Sequence, residues 1–298
     1  MAITLQESLR AIFYAPFYVA LAREAFDAEG VEIKFASAPR PGDAAKRLMD
    51  GTVDVCWGGP MRVNETYQQM PGCDIICFGE VVGRDPFLLM GREPRPNFKL
   101  ADLKSVTLAT VSEVPTPWLC LQHDLRLAGI DPATIKRVPN QTMAENMAAL
   151  KAGKVDVIQV FEPFPSLLQA DKAAHVWYEA ARRGVTAYTC FYARRGTLTA
   201  RRDELLRMVR AIAKTETWVA EASGKEIAQT ISGYFKDVAP AIREAACGRY
   251  KALGIWNTTP FLPRESYDRL RDSLVSGGFV SPGTPFETAV DNSLAEAV

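Results

Sequence analysis

The sequence predicts a two-lobed α/β protein in which each lobe has a mainly parallel sheet flanked by helices. The main observation is a repeat: segment 45–55 carries Leu, Gly, Val, Asp and Val at a spacing that returns in segment 148–157, displaced by 102 residues from Leu48 to Leu150. In each copy a helical face ends at a glycine, and a short apolar strand begins two residues later. Two similar lobes imply a cleft between them, and clefts are where small ligands bind.

The second observation is that both copies lie in the same order of elements. In the first half, segment 3–5 is predicted as a strand, followed by an aromatic loop at 13–16 and a helix that ends near Gly30. Segments 31–35 and 53–56 are then predicted as the next two strands, with the helix of the repeat between them. This alternation of strands and helices is typical of a parallel sheet.

The second half repeats the order. Segment 105–109 is predicted as a strand, 113–117 as a loop, 118–128 as a helix closed by Gly129, and 135–138 as a strand before the second copy of the repeat. The same order of strands and helices around both copies is much less common by chance than the short repeat alone.

The chain after the second copy has a different character. Segment 184–194 is rich in β-branched and aromatic residues and is predicted as a strand. Apolar residues near helical spacing then predict helices at 202–222, 227–235, 240–253 and 263–276. We expect this tail to pack on the first lobe, so that lobe one comprises 1–83 with 190–298 and lobe two comprises 84–189. The chain would cross between lobes near 82–86 and near 186–192.

Composition limits the partners. The 298 residues are 48% hydrophobic, which is enough for two cores, and the net charge is zero with scattered Lys and Arg. This argues against nucleic acid or an anionic membrane surface as partner, since both select a basic patch. No segment has the roughly 18–20 consecutive apolar residues of a membrane span, so we expect no direct membrane insertion.

The first residues leave the location open. They lack the basic start, apolar stretch and cleavage site of a secretory leader. We expect a periplasmic or lipid-anchored extracytoplasmic protein if a leader has been removed, and a cytoplasmic one if Met1 is native. Six cysteines in a chain of this length indicate buried or idle thiols rather than a disulfide scaffold. A bridge between Cys73 and Cys77 in an oxidising compartment is the alternative.

Several motifs together carry a family resemblance. They are Tyr14-Ala-Pro after the opening strand, Gly30-Val-Glu-Ile, Gly51-Thr-Val-Asp-Val followed by Trp57-Gly-Gly-Pro, Gly153-Lys-Val-Asp-Val, and Phe161-Glu-Pro. In this order the chain resembles the substrate-binding proteins of ABC importers of the nitrate/sulfonate/taurine and thiamine-pyrimidine-precursor type. The resemblance covers nearly the whole chain. It implies the periplasmic-binding-protein type II fold, capture of a small molecule by hinge closure, and delivery to the membrane subunits of an ABC transporter. No chemistry, cofactor or metal is expected.

Four segments lie where such a cleft would be. In α/β lobes, ligands sit beyond the carboxyl ends of parallel strands and against helix N-termini. The first is the aromatic loop 13–16, and the second is 57–60, which follows strand 53–56. The third is 110–117, before helix 118–128, and the fourth is 159–163, after the strand of the second repeat. A fifth segment, Tyr188-Thr-Cys, lies near the second crossing and is also expected to face the cleft. The candidate ligand-binding residues are Tyr14, Trp57, Gly58, Gly59, Ser112, Glu113, Thr116, Gln159, Glu162 and Tyr188.

Each candidate also has a purely structural interpretation. Trp57 either stacks on a planar ligand or packs in the core, and Ser112 and Thr116 either contact a ligand or cap a helix. Glu162 needs a partner if it is buried, which is either an arginine or a ligand amino group. At the first crossing, Arg84 and Asp85 are expected to brace the hinge as an internal pair. A ligand-anion clamp is the alternative for the same residues.

Aromatic, carboxylate and hydroxyl side chains at these positions favour a neutral or cationic heterocycle, such as an aminopyrimidine, over a small organic anion. The competing function is an enzyme of the same fold in pyrimidine or thiamine-precursor metabolism, and a third is a cytoplasmic ligand sensor. The fold that this chain resembles also includes a fungal-type pyrimidine synthase, with a cysteine-rich iron motif and a His/Lys pair, and a desulfinase that uses Cys, His and Arg. This sequence has no such cysteine cluster, and the loop at Tyr14 lacks a His. The two histidines, His123 in a predicted helix and His175 near a turn, show no paired nucleophile and base.

Overall fold

The computed structural model describes residues 2–40 and 42–298, which form ten strands in two sheets. The strands, in chain order, are β1 (Ile3–Glu7), β2 (Ile33–Ser37), β3 (Val55–Gly58), β4 (Ile75–Val82), β5 (Leu88–Gly91), β6 (Thr107–Val111), β7 (Lys136–Gln141), β8 (Val157–Val160), β9 (His175–Glu179) and β10 (Thr189–Arg194).

The described helices cover both sheets. They are α1 (Ala15–Ala22), α2 (Ala25–Ala28), α3 (Asp43–Met49), α4 (Pro60–Gln69), α5 (Thr116–Leu127), α6 (Met143–Lys151), α7 (Phe164–Ala170), α8 (Arg195–Ala200), α9 (Arg202–Glu221), α10 (Gly224–Thr230), α11 (Pro240–Ala252), α12 (Arg264–Ser276) and α13 (Phe286–Ala289). Short 3₁₀ helices occur at Ile12–Tyr14, Leu100–Ser105, Pro132–Thr134, Ala180–Arg183, Ser232–Tyr234 and Ala295–Ala297.

The two sheets have the same topology. The first has the order β2-β1-β3-β10-β4 and the second has the order β7-β6-β8-β5-β9. In each, the first three strands are parallel, and the fourth position is held by a strand antiparallel to both neighbours, β10 or β5. Each sheet therefore contains one strand that follows a crossing from the other lobe. The two-lobed α/β fold with mainly parallel sheets is confirmed, while the predicted lobe limits stay a prediction.

The sequence repeat has a structural cause. The Asp54 carboxylate accepts a hydrogen bond from the Thr4 N–H (2.8 Å), and the Asp156 carboxylate accepts one from the Thr107 N–H at the same distance. Each carboxylate thus fixes the start of the neighbouring parallel strand, β1 or β6. The repeat glycine ends α3 or α6 with a positive φ, +75° or +70°, which glycine adopts without a steric penalty.

Three strands differ from the sequence expectation. β4, β5 and β9 were not predicted, and every residue of β4 and β5 is buried, so neither strand shows the alternation that marks a half-exposed strand. The predicted strand 184–194 begins only at Thr189, because the preceding residues form the crossing between lobes. The predicted helix 227–235 is α10 followed by a separate 3₁₀ turn.

A buried ionic network ties the two crossings together. Arg183, before β10, pairs with Asp85, before β5, and its Nε donates to Asp124 of α5 at 2.8 Å. The Arg183 side chain is 5% exposed and that of Asp85 is fully buried. The expected pairing of Asp85 with Arg84 is wrong, because Arg84 instead donates to the Ala181 carbonyl (3.3 Å) and Arg183 reaches Asp85 from the other crossing.

The structure also bears on the expected absence of a membrane span and on the expected state of the cysteine thiols. Within residues 2–40 and 42–298, no helix combines the length and apolar character needed to cross a bilayer. All six cysteines are free; Cys77 is buried in β4 and Cys73 is half-buried before that strand, without a bridge between them.

Replacing Asp85 with Asn should lower the free energy of unfolding by about 3 kcal/mol, because Arg183 then keeps a buried charge with only one carboxylate partner. Asn retains the oxygen that accepts from the Phe87 N–H (2.9 Å), so the change isolates the charge. Urea unfolding measures the loss. The control is Glu287→Gln, which removes an exposed pair with Arg264 and should cost less than about 1 kcal/mol. Equal losses in both variants would contradict the bracing role.

Stability should fall between about pH 5 and pH 8 because of Glu80. Its buried carboxyl accepts from Asn257 Nδ2 (2.8 Å) and bonds Ser266 Oγ (3.2 Å), and burial raises its pKa to about 8. The unfolded chain releases this proton near pH 4.5, so the folded state holds more protons across that window and loses stability as the pH rises. Glu80→Gln should reduce the slope by about 1.4 kcal/mol per pH unit. Urea unfolding at three pH values tests this; an unchanged slope would refute it.

Candidate functional site

A small cavity lies between the two lobes. Its volume is about 40 Å³, which leaves room for only a few water-sized groups, so the lobes are closed on each other and a larger ligand requires them to separate. Both lobes contribute to the walls. The lining residues are Leu9, Phe13, Tyr14, Gly59, Met61, Arg62, Phe87, Val114, Thr116 and Tyr188.

Three helices begin at this cavity. Tyr14 is the N-cap residue of α1, Gly59 is the N-cap residue of α4, and Thr116 is the first residue of α5. The first turn of an α-helix carries a partial positive charge and presents backbone N–H groups without intrahelical partners, although each of these three helices has a proline, which lacks an N–H, at its first or second position. Because α4 belongs to the first lobe and α5 to the second, a ligand between them would contact both lobes.

Hydroxyl groups supply the neutral polar atoms of the cavity. Tyr188 is 7% exposed, and its buried OH has no hydrogen-bond partner among the described residues. The Tyr14 OH lies 3.3 Å from Ser8 Oγ, and burial raises the pKa of Tyr14 to about 12, so this phenol stays protonated. A buried hydroxyl without a partner costs free energy, and a ligand atom that accepts a hydrogen bond from it would recover that cost.

Arg62 supplies a positive charge. It lies in the first turn of α4, and its side chain is 15% exposed. Its Nη1 pairs with Glu65 Oε2 at 2.5 Å, on the same helix, which fixes the guanidinium at the cavity. Among the described lining residues Arg62 alone has a charged side chain, and the carboxylate of Glu65, which does not line the cavity, partly offsets that charge.

Aromatic rings form the remaining walls. Phe13 contacts Phe161 edge to face with ring centroids 5.2 Å apart, and Phe87 contacts Phe161 from the other side at the same distance. Phe13 and Phe87 also approach Tyr188, with centroids at 6.2 and 6.4 Å. The apolar part of a ligand would therefore meet ring edges and faces.

The structure brings four of the ten predicted site residues to the cavity: Tyr14, Gly59, Thr116 and Tyr188. Trp57 does not line it. Its indole lies between Phe17 (4.6 Å, interplanar angle 3°) and Phe35 (5.2 Å, 15°), so both ring faces are already covered by protein. The core-packing interpretation of Trp57 fits this geometry.

Gly58, Ser112, Glu113 and Gln159 also lie outside the lining. A Cβ at Gly58 would come within 2.9 Å of Ser8 Oγ, so the glycine allows β3 to pack closely. Ser112 is exposed. Glu113 accepts a hydrogen bond from the Met143 N–H (2.8 Å) at the start of α6, and Gln159 donates to the Pro117 carbonyl (2.9 Å).

Glu162 has the protein partner that its burial requires. Its fully buried carboxylate pairs with Arg249 Nε at 2.6 Å and accepts from the Ser166 N–H at 3.1 Å. The ion-pair interpretation of Glu162 therefore fits the geometry better than a ligand contact.

Six lining residues were not among the candidates: Leu9, Phe13, Met61, Arg62, Phe87 and Val114. Phe13 belongs to the aromatic loop that the sequence pointed out, and Arg62 follows Gly59 by three residues at the start of a helix. No helix was predicted at 60–69, so no predicted helix start pointed to Arg62. Phe87 reaches the cavity only because the chain crosses between lobes beside it.

Comparisons with known proteins place this geometry in context. The family model described as NMT1/THI5 like matches residues 12–223, more than half of the chain. The chain is 26% identical over 294 residues to YtlA of Bacillus subtilis (strain 168), whose name proposes a binding protein, and the match covers 98% of this chain and 88% of YtlA.

Solved structures share the fold. The periplasmic aliphatic sulphonate binding protein SsuA from Escherichia coli matches with a TM-score of 0.78 at 14% identity, over 96% of each chain. The desulfurization enzyme DSZB matches with a TM-score of 0.70 at 14% identity, over 99% of this chain and 98% of that one. The predicted periplasmic-binding-protein fold is confirmed, and it is shared by a binding protein and an enzyme.

Tyr188→Phe should leave the ligand-free protein as stable as the wild type, or more stable by about 1 kcal/mol, since the hydroxyl it removes has no protein partner. The matched variant is Tyr267→Phe, whose OH donates to the Thr284 carbonyl (2.9 Å) and accepts from Asn64 Nδ2 (3.0 Å). That variant should lose about 1–2 kcal/mol in urea unfolding. If Tyr188→Phe loses as much as Tyr267→Phe, the Tyr188 hydroxyl is not free for a ligand.

Proposed function

The chain belongs to the NMT1/THI5-like family, and on that premise we propose that it is a substrate-binding protein that captures a small molecule in the cavity between its lobes. The observation that carries the proposal is a cavity whose walls come from both lobes and which is lined by Tyr188, whose buried hydroxyl has no hydrogen-bond partner among the described residues. The names of YtlA and of SsuA, a binding protein with the same fold, support it.

The ligand that fits these walls is a small organic anion with an apolar body, such as an alkanesulfonate. Arg62 and the first turns of α4 and α5 favour negative charge, and the hydroxyls of Tyr14, Thr116 and Tyr188 are donors for its oxygens. The expected preference for an aminopyrimidine depended on carboxylates in the cleft. Glu113 and Glu162 are bonded to protein groups instead, so that preference loses its basis.

Binding would proceed by opening and closing of the two lobes. The cavity of about 40 Å³ is too small for an alkanesulfonate, so the bound form would be closed less far than this structure. In that form the ligand would contact α4 of one lobe and α5 of the other, and it would make fewer contacts in a fully open form, so it shifts the equilibrium toward the bound, partly closed form. The closed complex would then deliver the ligand to the membrane subunits of an ABC importer, which implies an extracytoplasmic location.

A thermal-shift screen of the purified protein tests this function. The panel contains butanesulfonate, benzenesulfonate, taurine, nitrate, an aminopyrimidine and pyridoxal. Butanesulfonate or benzenesulfonate should raise the melting temperature by several degrees, and taurine should be weaker because the lining offers no carboxylate for its ammonium group. A ligand recovered unchanged supports a binding protein, whereas a ligand that is consumed supports the enzyme alternative.

Arg62→Met should weaken sulfonate binding more than about tenfold, or about 1.4 kcal/mol, measured by titration calorimetry. Met keeps the length of the side chain and removes its charge. The control is Arg40→Met, which also removes one member of an i,i+3 ion pair, with Asp43, but lies outside the lining. Equal affinity in the Arg62 and Arg40 variants would show that the anion binds elsewhere.

A further inference from the structure

An ion pair joins the lobes beside the cavity. Glu162 lies between β8 and α7 of the second lobe, and Arg249 lies in α11, which packs against α10 and the 3₁₀ turn Ile12–Tyr14 of the first lobe. The Arg249 Nε to Glu162 Oε1 distance is 2.6 Å; the Glu162 side chain is fully buried and that of Arg249 is 18% exposed.

Two further hydrogen bonds join the two lobes beside this ion pair. The Glu162 N–H donates to the Tyr250 OH at 2.8 Å, and Arg249 also donates to Gln169 of α7. The other carboxylate oxygen of Glu162 accepts from the Ser166 N–H within its own lobe. Separation of the lobes would therefore remove the arginine and the tyrosine but leave Glu162 attached to α7.

This contact is coupled to the cavity through the residue before it. Phe161 packs between Phe13 and Phe87, which both line the cavity. Holding Glu162 against α11 therefore holds Phe161 in the aromatic wall. In the open form the wall would lose this ring.

We propose that Glu162 and Arg249 form a latch that stabilises the closed form of the protein, and that they are positioning residues rather than ligand contacts. The buried carboxylate is compensated across the lobe boundary only while the lobes are closed. Loss of Arg249 leaves it in the closed form with one backbone N–H as its remaining hydrogen bond, which disfavours closure. The expectation that a weakened latch speeds ligand release rests on the proposed function. The expectation that it shifts the ligand-free protein toward the open form does not.

The test measures the distance between the lobes in the ligand-free full chain. Spin labels carried by genetically encoded residues at Ala170 and Asp237, both exposed and on opposite lobes, report the distance distribution by pulsed electron spin resonance. The wild type should populate the short distance of the closed structure. Arg249→Met should lower the ratio of closed to open molecules at least tenfold, and Glu162→Gln should lower it less, because the amide oxygen can still accept from Arg249.

Two control variants test whether the change in the distance distribution depends on the charge of Arg249 and on its place between the lobes. Arg249→Lys retains the charge and should restore most of the closed population. Asp171→Asn removes an exposed ion pair with Lys151 inside the second lobe and should leave the distribution unchanged. An open wild type, or an Arg249→Met distribution identical to a closed wild type, would overturn the latch.

The sulfonate dissociation rate separates this proposal from the proposed function. With the latch weakened, dissociation of butanesulfonate should be at least tenfold faster. If the distances change as expected but no panel compound binds any variant, the latch stands and the proposed function fails. If butanesulfonate binds and the distances do not change, the latch fails alone.

Discussion

The buried contact of Arg183 with Asp85 and Asp124 is the constraint on which the arrangement of the lobes depends. The chain leaves the first lobe once and returns once, and these two crossings supply Asp85 and Arg183. Burying these charges is favourable only when they stay paired, so the crossings are held side by side. All three residues lie in the predicted second lobe, so the network holds the two crossing segments to each other at the edge of that lobe.

The repeated topology explains why the cavity forms where it does. Asp54 and Asp156 set equivalent registers in the two sheets, so the carboxyl ends of β3 and β8 occupy corresponding positions. The helix that follows each early strand begins at that edge, which brings the first turns of α4 and α5 to the lobe boundary. The helix ends from both lobes follow from this duplication, whereas Phe87 and Tyr188 are contributed by the two crossing segments and Arg62 by α4 alone.

Local patterns in the sequence were sufficient for the fold and for part of the site. The helices predicted at 202–222 and 240–253 agree with α9 and α11 to within one residue at each end, because an apolar stripe at helical spacing is a local property. β4 is fully buried and has no alternation, so its type depends on neighbours that the sequence does not show. The sequence left open whether Glu162 pairs with an arginine or with a ligand, for a related reason. Its partner Arg249 is 87 residues away and is brought close only by packing between lobes. Trp57 was expected to follow a strand, but it lies within β3, where Phe17 and Phe35 cover its ring.

The most direct measurement is hydrogen–deuterium exchange of the wild-type chain with and without saturating butanesulfonate. The account predicts slower exchange in the first turns of α4 and α5 together, since one anion would contact a helix N-terminus from each lobe. Protection confined to a single lobe would contradict the claim that the ligand binds between the lobes.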